Sequence, residues 1–128
     1  MESAVGTVRI VVIDDSPVFL RSLCSLLQEQ ELGHVVGTAE SAEDAFELVE
    51  RVRPDLVLID FQMPGMNGLD AIPLLRLRQP ETKVILVTMH DSPQLREASV
   101  ECGAHGFISK SQLNHDLSGV VARVLAAS

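Results

Sequence analysis

Short apolar runs alternate with amphipathic segments along the chain. After a short lead of residues 1–7, five runs rich in Val, Ile and Leu have the length and composition of buried strands. These runs are residues 8–13, 34–39, 56–60, 84–87 and 106–109. Each is followed by a segment with apolar residues at helical spacing. The alternation predicts an α/β fold, a doubly wound parallel sheet of five strands with right-handed crossovers and helices on both faces.

Two of the predicted helices have strong start signals. Ser16-Pro17 and Ser92-Pro93 each place a capping hydroxyl directly before a proline at the first helical position. The apolar face of the first helix consists of Phe19, Leu23, Leu26 and Leu27. We therefore expect helices to begin at residues 17 and 93.

Glycine and proline predict where helices end or are disturbed. Gly33 and Gly103 are expected to end the first and fourth helices, because glycine adopts the backbone conformations of helix ends without strain. Pro73 lies inside the helix that is predicted to follow Gly68 and to run through about Arg78. It removes a backbone donor, so we expect it to perturb this helix unless it falls in the first turn.

The length predicts a single domain, residues 1–128, with its core at about residues 8–125. Hydrophobic residues make up 46% of the chain, which has no Trp or Tyr, so the core must be aliphatic. The formal net charge of -8 argues against nucleic acid or a membrane surface as a direct partner. It suits a cation or a basic partner.

The sequence also bears on the compartment. No apolar stretch approaches the ~18 residues of a membrane span, and the N-terminus lacks the layout of a signal peptide. Cys24 and Cys102 have no zinc-type spacing and lie in apolar periodic segments, so we expect buried, reduced thiols. Together these features predict a cytoplasmic protein.

Polar residues fall where the predicted strands end. Asp14 and Asp15 follow the first strand, and Asp60 ends the third. Thr88 ends the fourth strand and Lys110 follows the fifth. Because the carboxyl ends of parallel strands meet at one edge of a sheet, these side chains should gather there, at the edge where ligands bind.

This set of side chains suits phosphoryl transfer. Three carboxylates repel one another unless a hard divalent cation such as Mg²⁺ takes up their charge. A lysine and a threonine can donate to a phosphoryl oxygen. A carboxylate can itself act as the nucleophile and form an aspartyl phosphate, and Asp60 is the candidate.

The five positions, together with the turn residues 63–68, resemble the signature of the response regulator receiver domain of two-component signalling. The resemblance covers about residues 8–125 and implies a flavodoxin-like sheet in the order 2-1-3-4-5. It implies that Asp60 accepts a phosphoryl group from the phosphohistidine of a histidine kinase. It further implies that Asp15, Asp60 and the backbone carbonyl of Gln62 ligate Mg²⁺, with Asp14 acting largely through water.

The same resemblance implies a switch. Lys110 would pair with the phosphoryl group, and Thr88 would move to hydrogen-bond it. Phe107 occupies the position of an aromatic residue that swings inward as the threonine moves. This change alters the surface of the fourth helix, fifth strand and fifth helix, and so the binding of partners. The family is regulatory, catalysing only its own phosphorylation and dephosphorylation.

Segments 88–91 and 106–110 resemble receivers of the NarL/FixJ type, which usually precede a helix-turn-helix DNA-binding domain. The sequence leaves open whether the chain stands alone or is a fragment of such a regulator, and we favour the fragment. Receivers of this type often pair when phosphorylated, so a phosphorylation-dependent homodimer is also expected. Ser111 replaces the proline that often follows the lysine, and Met89 replaces a small residue and is expected to narrow access to Asp60.

Two alternatives remain. A receiver-like module that binds partners without phosphorylation is expected to have lost one of the five polar positions, and none is lost. A Mg²⁺-dependent phosphatase of the haloacid dehalogenase type needs an acid two residues after its nucleophile, whereas Gln62 follows Asp60 at that distance.

The histidines share no ligand spacing and are interpreted as structural or exposed, with His90 near the site. They are His34, His90, His105 and His115.

Overall fold

The computed structural model describes residues 8–127, in which five strands and five helices alternate. The predicted lead of residues 1–7 lies outside the described residues. The elements are β1 (Arg9–Ile13), α1 (Pro17–Glu29), β2 (His34–Ala39), α2 (Ala42–Val52), β3 (Leu56–Asp60), α3 (Gly68–Arg78), β4 (Lys83–Thr88), α4 (Pro93–Cys102), β5 (Gly106–Ser109) and α5 (Leu113–Ala126). Every pairing is parallel, in the order β2-β1-β3-β4-β5. The predicted fold and strand order are confirmed.

The sheet separates two layers of aliphatic core. Alternate residues of β1 point to opposite faces, so that Val11 packs with α2 and α3 while Ile10 and Val12 pack with α1 and α5. All five residues of β3 are buried, as expected for a central parallel strand. The carboxylate of Asp60 is therefore held at the end of the most enclosed strand.

The capping signals are confirmed. The Ser16 hydroxyl accepts a hydrogen bond from the Phe19 amide at 3.2 Å, and the Ser92 hydroxyl accepts one from the Leu95 amide at 3.1 Å. A proline occupies the start of each of these helices. The caps fix the point at which the chain leaves the carboxyl edge of the sheet and enters α1 and α4.

Gly103 ends α4 with a φ of 105°, as predicted, but Gly33 does not end α1. That helix stops at Glu29, four residues earlier than Gly33, and the left-handed residue that follows is Glu31, with a φ of 56°. Glycine is required at position 33 for steric reasons, because a Cβ there would lie 2.8 Å from the carbonyl oxygen of Val8. The predicted role of Gly33 was therefore wrong.

Pro73 lies beyond the first turn, at an interior position of α3, yet the helix continues to Arg78. The missing N–H deprives the carbonyl of Leu69 of its usual donor. Pro73 is on the exposed side of the helix, where water can satisfy that carbonyl. The expected perturbation does not interrupt the helix.

The two cysteines are free, as predicted, but they are half-buried rather than buried. Burial raises the pKa of the Cys24 thiol and of the Cys102 thiol above the ordinary value. Both residues pack against the core from its margin. A raised pKa keeps both as thiols at neutral pH.

Gly68 closes the loop after β3 against the strand that it follows. Its amide donates to the carbonyl of Phe61 at 2.8 Å. A Cβ at this position would lie 2.3 Å from the carbonyl oxygen of Asp60 and 3.0 Å from the Leu86 side chain. Only glycine lets α3 begin this close to the end of β3.

We expect Gly68→Ala to lower the free energy of unfolding by roughly 1–3 kcal/mol, because the added methyl group forces α3 away from β3. Urea denaturation followed by circular dichroism measures this change. The matched control is Gly119→Ala in α5, where a Cβ meets no atom within 4 Å. The control should gain about 0.5–1 kcal/mol from higher helix propensity. Equal stabilities of the two variants would contradict the assigned role of Gly68.

Candidate functional site

The residues predicted to meet at the carboxyl edge of the sheet line one open cleft of about 620 Å³. Its lining includes Asp14, Asp15, Asp60, Thr88 and Lys110. The loop after β3 contributes Gln62, whose backbone carbonyl was predicted as a metal ligand. Strands β1, β3 and β4 bring in the buried residues, and the turn after β5 supplies the lysine.

The cleft is organised by one ammonium between two carboxylates. Lys110 Nζ lies 2.8 Å from Asp14 Oδ2 and 3.5 Å from Asp60 Oδ1. Asp14 is 2% exposed and Asp60 is 6% exposed. The other oxygen of Asp14, Oδ1, accepts the amide of Ser16 at 2.9 Å, which orients the carboxylate toward the lysine. Charge-assisted bonds of this kind hold buried charges in place.

Three carboxylates in the cleft fit a hard divalent cation. Asp14, Asp15 and Asp60 each offer an oxygen, and these three oxygens lie within 4.8 Å of one another. Burial and the charge of Asp14 raise the pKa of Asp60 to about 6, against the opposing effect of Lys110. The single ammonium of Lys110 does not balance the three carboxylates, so the cleft carries an excess of negative charge. Oxygen donors carrying excess negative charge are the set that Mg²⁺ prefers.

Thr88 lies at the end of β4 with only 1% exposure. Its hydroxyl oxygen accepts the backbone amide of His90 at 3.0 Å. The hydroxyl proton stays available for a second partner, so the side chain can accept from the loop and still donate into the cleft.

Phe107 lies on β5, half-buried and outside the cleft lining. The guanidinium of Arg96 covers its ring at 4.4 Å from the centroid. Asp91 accepts two hydrogen bonds from that guanidinium, at 2.7 and 3.0 Å. Neither Arg96 nor Asp91 was predicted as a functional residue. The available signal was an acid just before the cap of α4 and a base in its first turn.

A second aromatic contact was also missed. Lys110 Nζ lies 4.0 Å from the ring centroid of Phe19, which was predicted only as part of the apolar face of the first helix. The ring is half-buried beside the core of that layer. No pattern in the sequence relates residue 19 to residue 110, because their contact depends on how α1 is placed on the sheet.

The residues after Thr88 form the rim of the cleft. The side chain of Met89 is 66% exposed there, at the entrance that it was expected to narrow. His90 is exposed and meets the ring of Phe61 edge to face, with centroids 6.0 Å apart. His105 is structural, since its Nδ1 accepts the Val84 amide at 3.0 Å. The interpretation of the histidines as exposed or structural is confirmed, since His34 and His115 are exposed.

Residues 10–122 match the model of the response regulator receiver domain family. The chain belongs to this family. This receiver domain is 33% identical over 117 residues to the transcriptional regulatory protein MctR of Rhizobium johnstonii, and 35% identical over 103 residues to the transcriptional regulatory protein DegU of Brevibacillus brevis. The alignments cover 91% and 80% of the chain but 55% and 44% of the relatives. The receiver domain therefore spans about half the length of the curated relatives that it matches.

Solved structures agree. The receiver domain matches the signal receiver domain of NarL from Mycobacterium tuberculosis with a TM-score of 0.87 at 31% identity, covering 95% of this chain and 98% of that one. A LuxR-family response regulator from Aurantimonas matches with a TM-score of 0.89 at 28% identity, covering 94% and 86%. These similarities support the predicted NarL/FixJ-like subtype. Among residues 8–127, none of the helices of the receiver domain is long and apolar enough to cross a membrane.

The electrostatics of the receiver domain predict an effect of pH on stability. Because the pKa of Asp60 in the folded domain is raised to about 6, folding favours its protonated form, and stability should fall as pH rises through about 6. We expect Asp60→Asn to raise the free energy of unfolding by roughly 1–3 kcal/mol at about pH 7.5 in EDTA. Urea denaturation measures this gain.

The gain should vanish as the pH falls to about 3, where Asp60 is protonated in the folded and unfolded states alike. The control is Glu81→Gln, which changes an exposed acid by the same chemistry and should leave stability nearly unchanged. A gain of the same size at every pH would show that charge is not its cause.

Proposed function

We propose that this receiver domain is a phosphorylation-activated switch in which Asp60 accepts a phosphoryl group from the phosphohistidine of a histidine kinase. The observation that carries the proposal is the placement of the Asp60 carboxylate, at the floor of an open cleft and 3.5 Å from the ammonium of Lys110. One Asp60 oxygen forms the new bond to phosphorus as the bond from phosphorus to the histidine nitrogen breaks. The nitrogen leaves with its electron pair.

The reaction is proposed to depend on Mg²⁺. Asp15, Asp60 and the backbone carbonyl of Gln62 would hold the ion, with Asp14 acting largely through water. The three carboxylate oxygens within 4.8 Å of one another support this assignment. When bound, the ion neutralises charge on the phosphoryl oxygens and favours the ionised, nucleophilic form of Asp60.

Lys110 is proposed to donate to a phosphoryl oxygen, balancing charge that develops during transfer. Its ammonium already faces Asp60, so little reorientation is needed. Asp14 keeps the lysine in the cleft through the 2.8 Å ion pair. The domain would catalyse only its own phosphorylation and dephosphorylation, as a regulatory domain and not as an enzyme acting on other molecules.

The switch is proposed to run from Thr88 to Phe107. The Thr88 hydroxyl would donate to a phosphoryl oxygen, and Phe107 would move inward as the threonine moves. Phosphorylation thus favours one of two arrangements that differ at the surface of α4, β5 and α5. The half-buried position of the Phe107 ring is compatible with movement in either direction.

The proposed partners are a histidine kinase and an output domain. The relatives MctR and DegU are transcriptional regulators about twice as long as the chain, which supports a helix-turn-helix DNA-binding domain as the output. The net charge of -8 argues against direct DNA contact by the receiver domain. We also propose that phosphorylation promotes a homodimer, and that the protein acts in the cytoplasm.

Intact mass after incubation with phosphoramidate tests the chemistry. The wild type should gain one phosphoryl group in the presence of Mg²⁺ and none in EDTA, because the acidic cleft needs the cation to admit a further anion. Asp60→Asn should gain none, whereas the matched control Asp70→Asn, an exposed acid in the first turn of α3, should gain one. A wild type that binds Mg²⁺ without gaining mass would instead indicate an interaction module that works without phosphorylation.

Thr88→Val separates the chemistry from the switch. The variant keeps the shape of the side chain but loses the hydroxyl that the phosphoryl group would engage. We expect the variant to be phosphorylated on Asp60. The changes in amide chemical shift that phosphorylation produces in β5 and on the surface of α4 should be much smaller than in the wild type. The control Thr38→Val, at an exposed position of β2, should respond as the wild type does. Full shift changes in Thr88→Val would exclude Thr88 from the switch.

A further inference from the structure

The ammonium of Lys110 has three close neighbours, and one of them is uncharged. Besides Asp14 and Asp60, Nζ lies 4.0 Å from the ring centroid of Phe19. This distance is well within the range of cation–π attraction. The lysine side chain is only 12% exposed, so the ring acts on a largely desolvated cation, where the attraction is stronger than at a free surface.

The ring and the carboxylates differ in how their attraction for the ammonium depends on a bound cation. Asp14 and Asp60 are candidate metal ligands, so their attraction for Lys110 weakens whenever their charge is neutralised. Phe19 carries no charge and offers no ligand to a hard cation. Its attraction for the ammonium therefore does not depend on whether a cation has neutralised the carboxylates. The ring is thus a second contact, beside the ion pair with Asp14, that restrains the flexible lysine stem.

The fold fixes Phe19 relative to the site. Its amide donates to the capping hydroxyl of Ser16, and the amide of Ser16 donates to Asp14. One short segment thus holds a carboxylate on one side of the ammonium and an aromatic ring on another. The half-buried ring also packs against the core formed by α1 and α5, which restricts its rotation.

We infer that Phe19 is a positioning residue for Lys110, holding the ammonium at the cleft while the carboxylates engage a cation. The inference rests on the proposed function, because Lys110 acts on a phosphoryl group only if Asp60 receives one. Phe19 does not touch the reacting atoms, so its effect passes through Lys110 alone. The rate of phosphorylation should depend on the ring, and the affinity for Mg²⁺ should not.

The variants are Phe19→Leu, which keeps an apolar side chain without a ring, and Phe19→Tyr, which keeps the ring face. At saturating Mg²⁺, the initial rate of phosphorylation by phosphoramidate should fall roughly threefold to tenfold in Phe19→Leu and stay within about twofold of wild type in Phe19→Tyr. The dissociation constant for Mg²⁺, measured by calorimetry, should be unchanged in both. A merely structural role would not be rescued by tyrosine in this way.

The matched control is Phe46→Leu. Phe46 also lies under a cation, with the Arg78 guanidinium 4.8 Å from its ring centroid, but it is outside the cleft lining. The same substitution there should leave the phosphorylation rate at the wild-type value. An equal loss of rate in Phe46→Leu and Phe19→Leu would overturn the inference, because the effect would then come from general loosening of the fold.

A second readout does not require phosphorylation. The ε-methylene protons of Lys110 should be shifted upfield by the ring current of Phe19 in the unmodified protein, and Phe19→Leu should return them to ordinary lysine values. If Phe19→Leu loses this upfield shift but keeps the wild-type rate of phosphorylation, the ring contacts the lysine without positioning it, and the inference is wrong. If the shift is present but the wild type gains no phosphoryl group, the proposed function fails, and the role of Phe19 in it fails too.

Discussion

The site depends on forcing two carboxylates and one ammonium together at the edge of a parallel sheet. Register pairs Ile13 with Ile59, so the acids that follow these residues emerge side by side. Both acids are buried, and burial first, with the charge of Asp14 second, raises the pKa of Asp60 despite the opposing effect of Lys110. Burial of the aliphatic strands beneath stabilises the fold enough to hold this arrangement. The excess negative charge is what makes the cleft receptive to a cation.

One loop contacts Thr88 directly and is linked to Phe107 through Arg96. The backbone of His90 binds the Thr88 hydroxyl, while the neighbouring side chain of Asp91 holds Arg96 over the ring of Phe107. Movement of the Thr88 side chain would affect the hydrogen bond that its hydroxyl oxygen accepts from the His90 amide. The loop is therefore linked to the cleft by a hydrogen bond to Thr88, and to β5 by the Asp91–Arg96 hydrogen bonds and the cation–π contact of Arg96 with Phe107.

The fold and the main members of the cleft were predictable because both follow from local pattern. Buried strands appear as short apolar runs, and the residues directly after them must meet at one edge. The contacts of Phe19 and Arg96 were not predictable, because they depend on helix placement and side-chain rotamers. Gly33 and Gly68 show the same limit, since the atoms that exclude a Cβ belong to strands elsewhere in the chain. Gly33 was predicted as a helix end and Gly68 as part of a turn, whereas close packing is what excludes a Cβ at both positions.

The ion pair between Asp14 and Lys110 joins residues 96 positions apart. Such a contact requires the strands between β1 and β5 to be in place, so it is one of the non-local contacts of the fold. A chain that has formed its helices and only part of the sheet would have the acids but no counter-ion beside them. The full arrangement of charges in the cleft is therefore confined to molecules that have formed the whole sheet.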